Sequence, residues 1–133
     1  MQIDNEIIRF EDKFSLKLPK SYKDFLSTNK KKMVSCTFSV HKSYFINHFY
    51  QIENTDLPYT LEEINVNLWE DPHIFPAYCI AIGTDSFGNF YCIDLSSSNY
   101  GQVFFFDTEF YDEEDNKFTT ICKAFEEFKE HLF

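Results

Sequence analysis

Six acids fall within nine residues in the run Asp107-Thr108-Glu109-Phe110-Tyr111-Asp112-Glu113-Glu114-Asp115. Carboxylates at this density suit three kinds of chemistry: holding a cation, passing protons, or imitating the phosphate backbone of a nucleic acid. As a calcium loop the run has oxygen ligands, but it lacks the EF-hand spacing and its glycine. As a mimic it makes more sense. A nuclease grips its anionic substrate in a basic cleft. A dense acidic segment would be steered into such a cleft, and Phe110 and Tyr111 would supply anchoring contacts. The plain alternative is a solvated acidic loop between two elements.

Other chemistry finds less support. Asp85 and Asp94 are candidates for a carboxylate pair across a hairpin, which would do acid–base work only if their environments split their pKa values. The four histidines, His41, His48, His73 and His131, are scattered, with no H-E-x-x-H and no pair at i, i+4. There is no G-x-S-x-G, P-loop or G-x-G-x-x-G. Cys36, Cys79, Cys92 and Cys122 form no C-x-x-C pair and lie in apolar stretches, which suits small buried hydrophobes rather than metal ligands or nucleophiles. No catalytic residue, metal or cofactor is expected.

Charge is partitioned along the chain. Residues 1–42 carry nine Lys/Arg and five Asp/Glu; residues 43–116 carry fourteen Asp/Glu and no Lys or Arg; residues 117–133 balance. The total is −10. The basic-free stretch repels nucleic acid and anionic membranes and attracts a basic protein. Glu53, Asp56, Glu62, Glu63, Glu70 and Asp71 belong to it and are further candidates for a shared surface. Trp69, beside Glu70 and Asp71, reads as a core anchor before a contact residue. Lys30-Lys31-Lys32 reads as a solvated loop.

The elements that must position these residues follow from periodicity. With 17 Phe, 8 Tyr and 1 Trp in 133 residues, the chain has ample apolar material for one core. No apolar run approaches the length of a membrane span. Met1 to Glu6 lacks the basic start and apolar core of a signal peptide, so a cytoplasmic address is expected. Ile3, Ile7, Phe10 and Phe14 predict a helix over about 4–14, with Asp4 as its cap. Pro19 opens a second, over about 19–28, with Tyr22, Phe25 and Leu26 inward. Alternation predicts strands over 34–40 and 44–52. Thr60 and Glu63 make a capping box for a short helix carrying Leu61, Ile64 and Leu68. Strands are expected over 77–82, ended by Gly83, then over 89–95 and 102–107, with a turn at Ser86-Phe87-Gly88-Asn89. Phe118, Cys122, Phe125, Phe128 and Leu132 predict a closing amphipathic helix. Strands adjacent in sequence predict an α+β fold: a mostly antiparallel twisted sheet of about five to six strands with four flanking helices, in one domain spanning 1–133.

The run Ile82-Gly83-Thr84-Asp85-Ser86-Phe87-Gly88-Asn89-Phe90-Tyr91-Cys92-Ile93-Asp94-Leu95, followed by Gly101-Gln102-Val103-Phe104-Phe105-Phe106-Asp107, resembles the central signature of the SUKH superfamily. That group includes fungal cell-wall synthesis regulators and many bacterial immunity proteins. The opening, Ile7, Phe10, Phe14, Leu18-Pro19, Tyr22, Phe25 and Leu26, resembles its first two helices. Ala124-Phe125-Glu126-Glu127-Phe128 resembles its closing helix. The chain departs from the family pattern in having Asn29-Lys30-Lys31-Lys32 where a Gly-rich stretch is common, and Phe104-Phe105-Phe106 where a Trp is common. The resemblance implies no catalytic activity and, for bacterial members, binding of a cognate toxin, often a nuclease. It implies a structural role for Asp85, Gly88, Asn89 and Asp94 as turn-builders. The expectation is therefore an immunity protein that neutralises a basic toxin through an acidic surface comprising Asp107, Glu109, Phe110, Tyr111 and Asp112 to Asp115. The alternative is a non-catalytic regulatory scaffold.

Overall fold

The computed structural model describes residues 2–28, 33–39, 43–52, 59–110 and 118–130. The chain opens with α1 (Gln2–Phe14), which turns Ile7 and Phe10 inward. The helix begins at Gln2, so Asp4 lies inside its first turn rather than before it, where the sequence predicted a cap. The helix stops at Ser15, which takes φ 54°, and the Leu16 N–H returns to the Glu11 carbonyl at 3.0 Å. The buried Glu11 carboxylate then accepts from the Leu18 N–H at 2.7 Å and faces Lys23 Nζ at 3.6 Å. This fixes the corner into α2 (Lys20–Thr28).

The strands β1 (Met33–Ser39) and β2 (Ser43–Phe49) follow, then α3 (Leu61–Leu68). The capping box read from the sequence is present: Thr60 Oγ1 accepts from the Glu63 N–H at 3.2 Å, and Glu63 Oε1 accepts from the Thr60 N–H at 2.9 Å. A meander of β3 (Cys79–Thr84), β4 (Phe90–Asp94) and β5 (Val103–Phe106) leads through a single 3-10 turn (Thr108–Phe110) to β6 (Phe118–Cys122) and the short helix α4 (Phe125–Glu130). The described strands form one antiparallel sheet in the order β1-β2-β3-β4-β5-β6. The fold is α+β with four α-helices, as expected.

Two further expectations are corrected. Phe118–Cys122 is a strand, not the first turns of the closing helix. Phe118, Cys122 and Phe125 stand at helical spacing, but the intervening Thr119, Thr120 and Ile121 are β-branched, and Thr119 and Thr120 pair with Phe105 and Phe104 of β5 while Ile121 falls at a register shift. Gly83 does not end β3; it lies within it, at a bulge between Ala81 and Gly83. A Cβ there would stand 3.0 Å from the His48 carbonyl oxygen and 3.1 Å from the Phe49 ring, so glycine permits β2 to close on β3.

Side chains alternate across the sheet and build a core on each face. One carries Ile80, Ile82, Tyr91, Ile93 and Val103, covered by Phe10 of α1, Tyr22 and Phe25 of α2 and Phe125 and Phe128 of α4. Its aromatic rings meet edge to face: Tyr22 with Phe125 at 5.2 Å and Phe25 with Phe49 at 4.9 Å. The other carries Cys79, Ala81, Cys92, Phe104 and Phe106, covered by Phe75. β3 is buried along its whole length because both faces are covered.

Candidate functional site

β3 ends at Thr84 and the chain reverses through Asp85-Ser86-Phe87-Gly88-Asn89 into β4. Asp85 organises the reversal. Its Oδ1 accepts from the Phe87 N–H at 2.8 Å and the Asn89 N–H at 3.0 Å, and its Oδ2 accepts from Asn89 Nδ2 at 3.0 Å. The Thr84 hydroxyl donates to the Asn89 carbonyl at 2.7 Å. Gly88 takes φ 88°, a conformation that costs glycine nothing and other residues more. With its amide nitrogen committed to Asp85, Asn89 turns its Oδ1 outward and accepts from the Thr108 N–H and the Thr108 hydroxyl, each at 2.9 Å. The two oxygens and the amide of these side chains thus join the β3–β4 turn to the start of the acidic run, nineteen residues on.

Asp107 Oδ1 accepts from the Glu109 N–H at 3.0 Å, which starts the 3-10 turn, and Glu109 is exposed. Phe110 ends that turn. Tyr111, Asp112, Glu113, Glu114 and Asp115 lie outside the described residues, as do Glu53 and Asp56. The calcium reading rests on Asp107, Glu109 and Asp112 to Asp115, of which Asp107 and Glu109 alone lie within the described residues. Among the described residues, no group of three His, Cys, Asp or Glu is placed to hold a metal ion.

The remaining acids divide between places. Asp85, Asp107 and Glu109 share the end of the sheet where β3 and β5 finish. Asp94 does not join them. It pairs with Cys79 at the other end of the β3–β4 hairpin, where its Oδ1 accepts from the Ser96 N–H at 2.8 Å. The carboxylate pair Asp85/Asp94 is therefore not formed. Glu62 pairs with Lys13 at 2.6 Å and Glu63 serves the cap of α3. Glu70 and Asp71 follow Trp69, whose Nε1 donates to the Cys79 carbonyl at 2.8 Å, so they lie by the start of β3 rather than its end. Trp69 also packs on Phe14 with ring centroids 5.3 Å apart and on both cores.

The thiols of Cys79, Cys92 and Cys122 are buried. Burial pushes Cys79 and Cys92 well above the usual thiol range and Cys122 up to about 11. Burial pushes the His48 imidazole down, next to Tyr50 at 5.4 Å between rings.

Phe87 at the tip of the β3–β4 turn is the residue that the sequence did not flag as functional. It is 84% exposed, more than any other large apolar side chain among the described residues. The signal available was its setting, a single aromatic inside the polar turn Asp-Ser-Phe-Gly-Asn.

What these features define is a helix-covered antiparallel sheet that presents ordered turns at one end and no catalytic constellation among its described residues. The model of the SMI1 / KNR4 family (SUKH-1) matches residues 4–131, and the chain belongs to that family. No curated protein and no solved structure is significantly similar to it. No helix among the described residues is long and apolar enough to cross a membrane.

Proposed function

We propose that this chain is a cytoplasmic immunity protein that binds a cognate basic toxin, a nuclease being the class that best fits, and blocks it stoichiometrically without catalysis. Membership of the SMI1 / KNR4 family supports a protein-binding, non-catalytic role. The observation that carries the toxin reading is the charge partition. Residues 43–116 hold fourteen acids and no Lys or Arg, and six of those acids are in the run that leaves β5. A basic cleft built for a polyanion is the natural complement of such a surface. The contact residues in this reading are Asp107, Glu109, Phe110, Tyr111, Asp112, Glu113, Glu114 and Asp115, with Asp85, Gly88 and Asn89 holding the adjoining turn.

Tagged protein recovered from its own cells at low and high salt tests this. A single basic protein retained at about one-to-one stoichiometry, released by salt and lost when charge is reversed across residues 107–115, is the expected result. Several signalling or cell-wall partners would instead select the second reading, a regulatory scaffold, which the family name supports equally.

A further inference from the structure

A single exposed apolar side chain is ordinary on a protein surface. Two things set Phe87 apart. The first is rigidity. The backbone on either side of it is held by the Asp85 carboxylate, through the Phe87 N–H itself at 2.8 Å and the Asn89 N–H at 3.0 Å. Its ring is 84% exposed and so adds little to the core, yet it stands in a turn tied further by the Thr84 hydroxyl on the Asn89 carbonyl and by Asn89 Nδ2 on Asp85 Oδ2. A side chain carried on a backbone already held before binding leaves less entropy to lose on binding, which favours an aromatic as an anchor. The second is place. Asn89 bonds Thr108, so the turn stands beside the entry to the acidic run. Neither segment contains a Lys or Arg.

An apolar knob set among carboxylates has a defined complement: an apolar socket rimmed by cations. It has little affinity for an anionic membrane, which the same carboxylates repel. We infer that Phe87 is the apolar anchor of the partner-binding surface, inserting into a hydrophobic socket of a basic protein while the neighbouring acids meet the socket's cationic rim. This rests on the function proposed above and names the centre of its interface. The acids set encounter rate and salt dependence, and Phe87 sets how long the complex lasts.

The test uses the full chain in the cells that make it. The photo-crosslinking residue p-benzoylphenylalanine replaces Phe87 in one copy and Ile8, which is 56% exposed on α1, in another. The expected result is one discrete adduct from position 87, with a protein rich in Lys and Arg, and none from position 8. Titration of that protein against Phe87→Ala should show affinity weakened about tenfold or more, through faster dissociation, with Ile8→Ala unchanged and the melting temperature of Phe87→Ala kept. A basic protein that crosslinks only from position 8, or that binds Phe87→Ala as tightly as the parent, overturns the anchor and leaves the proposed function standing. An adduct to lipid overturns it too. No adduct from either position, with no stoichiometric protein in the salt-dependent recovery, overturns both.

Discussion

The side-chain amide of Asn65 stands in for a strand beside Ala81. Its Oδ1 accepts from the Ala81 N–H at 2.7 Å, and its Nδ2 donates to the Ala81 carbonyl at 2.9 Å. β2 pairs with β3 through His48 and Phe49, opposite Thr84 and Gly83, and the chain departs after the Tyr50 N–H has bonded the Ile82 carbonyl at 2.9 Å. The backbone groups of Ala81 would be left buried and bare. The fully buried Asn65 on α3 closes that gap, and Trp69, one helical turn on, does the same for the Cys79 carbonyl.

Replacing Asn65 with Ala should therefore cost about 2–4 kcal/mol, because it strands a buried donor and a buried acceptor together. Asn65→Asp should cost at least as much, since it loses the donor and buries a charge. Urea unfolding at neutral pH reads both, with an unchanged slope expected because the exposed surface does not change.

Asp85→Ala removes the acceptor of three hydrogen bonds in an exposed turn, and a loss of about 1–2 kcal/mol is expected. The effect should travel. Asn89 loses its orientation, and hydrogen exchange at the Thr108 amide should speed up together with that at Phe87. Gly88→Ala should cost about 1 kcal/mol for its positive φ alone, since nothing lies within 4 Å of the added methyl group.

The thiols give a third check. Cys79, Cys92 and Cys122 are buried and raised, so none should react with a thiol-specific dye at pH 8 on the timescale of minutes. In a Cys36→Ser background the native protein should show no fast-reacting thiol, and all three should appear in denaturant. A fast thiol in that background would contradict the packing of the smaller core or of β6.

His48 gives a pH signature. Its pKa is lowered in the folded state by burial, from a starting value of 6.5, so the unfolded chain takes up the proton first as pH falls. Its contribution to stability is complete above about pH 6.5 and is lost as pH falls below it, toward the lower folded value. Between pH 7.5 and 5.5 the parent should lose more melting temperature than His48→Gln does, with neighbouring carboxylates common to both.

The helices and most strands were legible because their signals are local. Thr60 and Glu63 announce α3, and Tyr22, Phe25 and Leu26 announce the inner face of α2. β6 was not, because Phe118, Cys122 and Phe125 satisfy helical spacing by coincidence while Thr119, Thr120 and Ile121 argue for a strand. The end of β3 was misplaced because a glycine normally punctuates, whereas Gly83 is needed for the approach of the His48 carbonyl. At the candidate site the acids were plain in the sequence. The bond from Asn89 to Thr108 was not, since it joins residues with no shared period. Nor was the exposure of Phe87, since in a chain with 20% aromatic residues the type of side chain says little about which side of the surface it occupies.

The strand order β1-β2-β3-β4-β5-β6 means that every partner in the sheet is also the next strand along the chain. Loop-closure entropy grows only with the logarithm of loop length, so no pairing here demands a long search. Such a sheet folds faster than one whose strands cross over, and each strand can find its neighbour in the order in which the ribosome releases it. The acidic run sits between the last two strands of that order. Its flanks are therefore joined only after the other described strands can already have paired, which makes the β5–β6 junction the last part of this sheet to close, just ahead of the packing of α4.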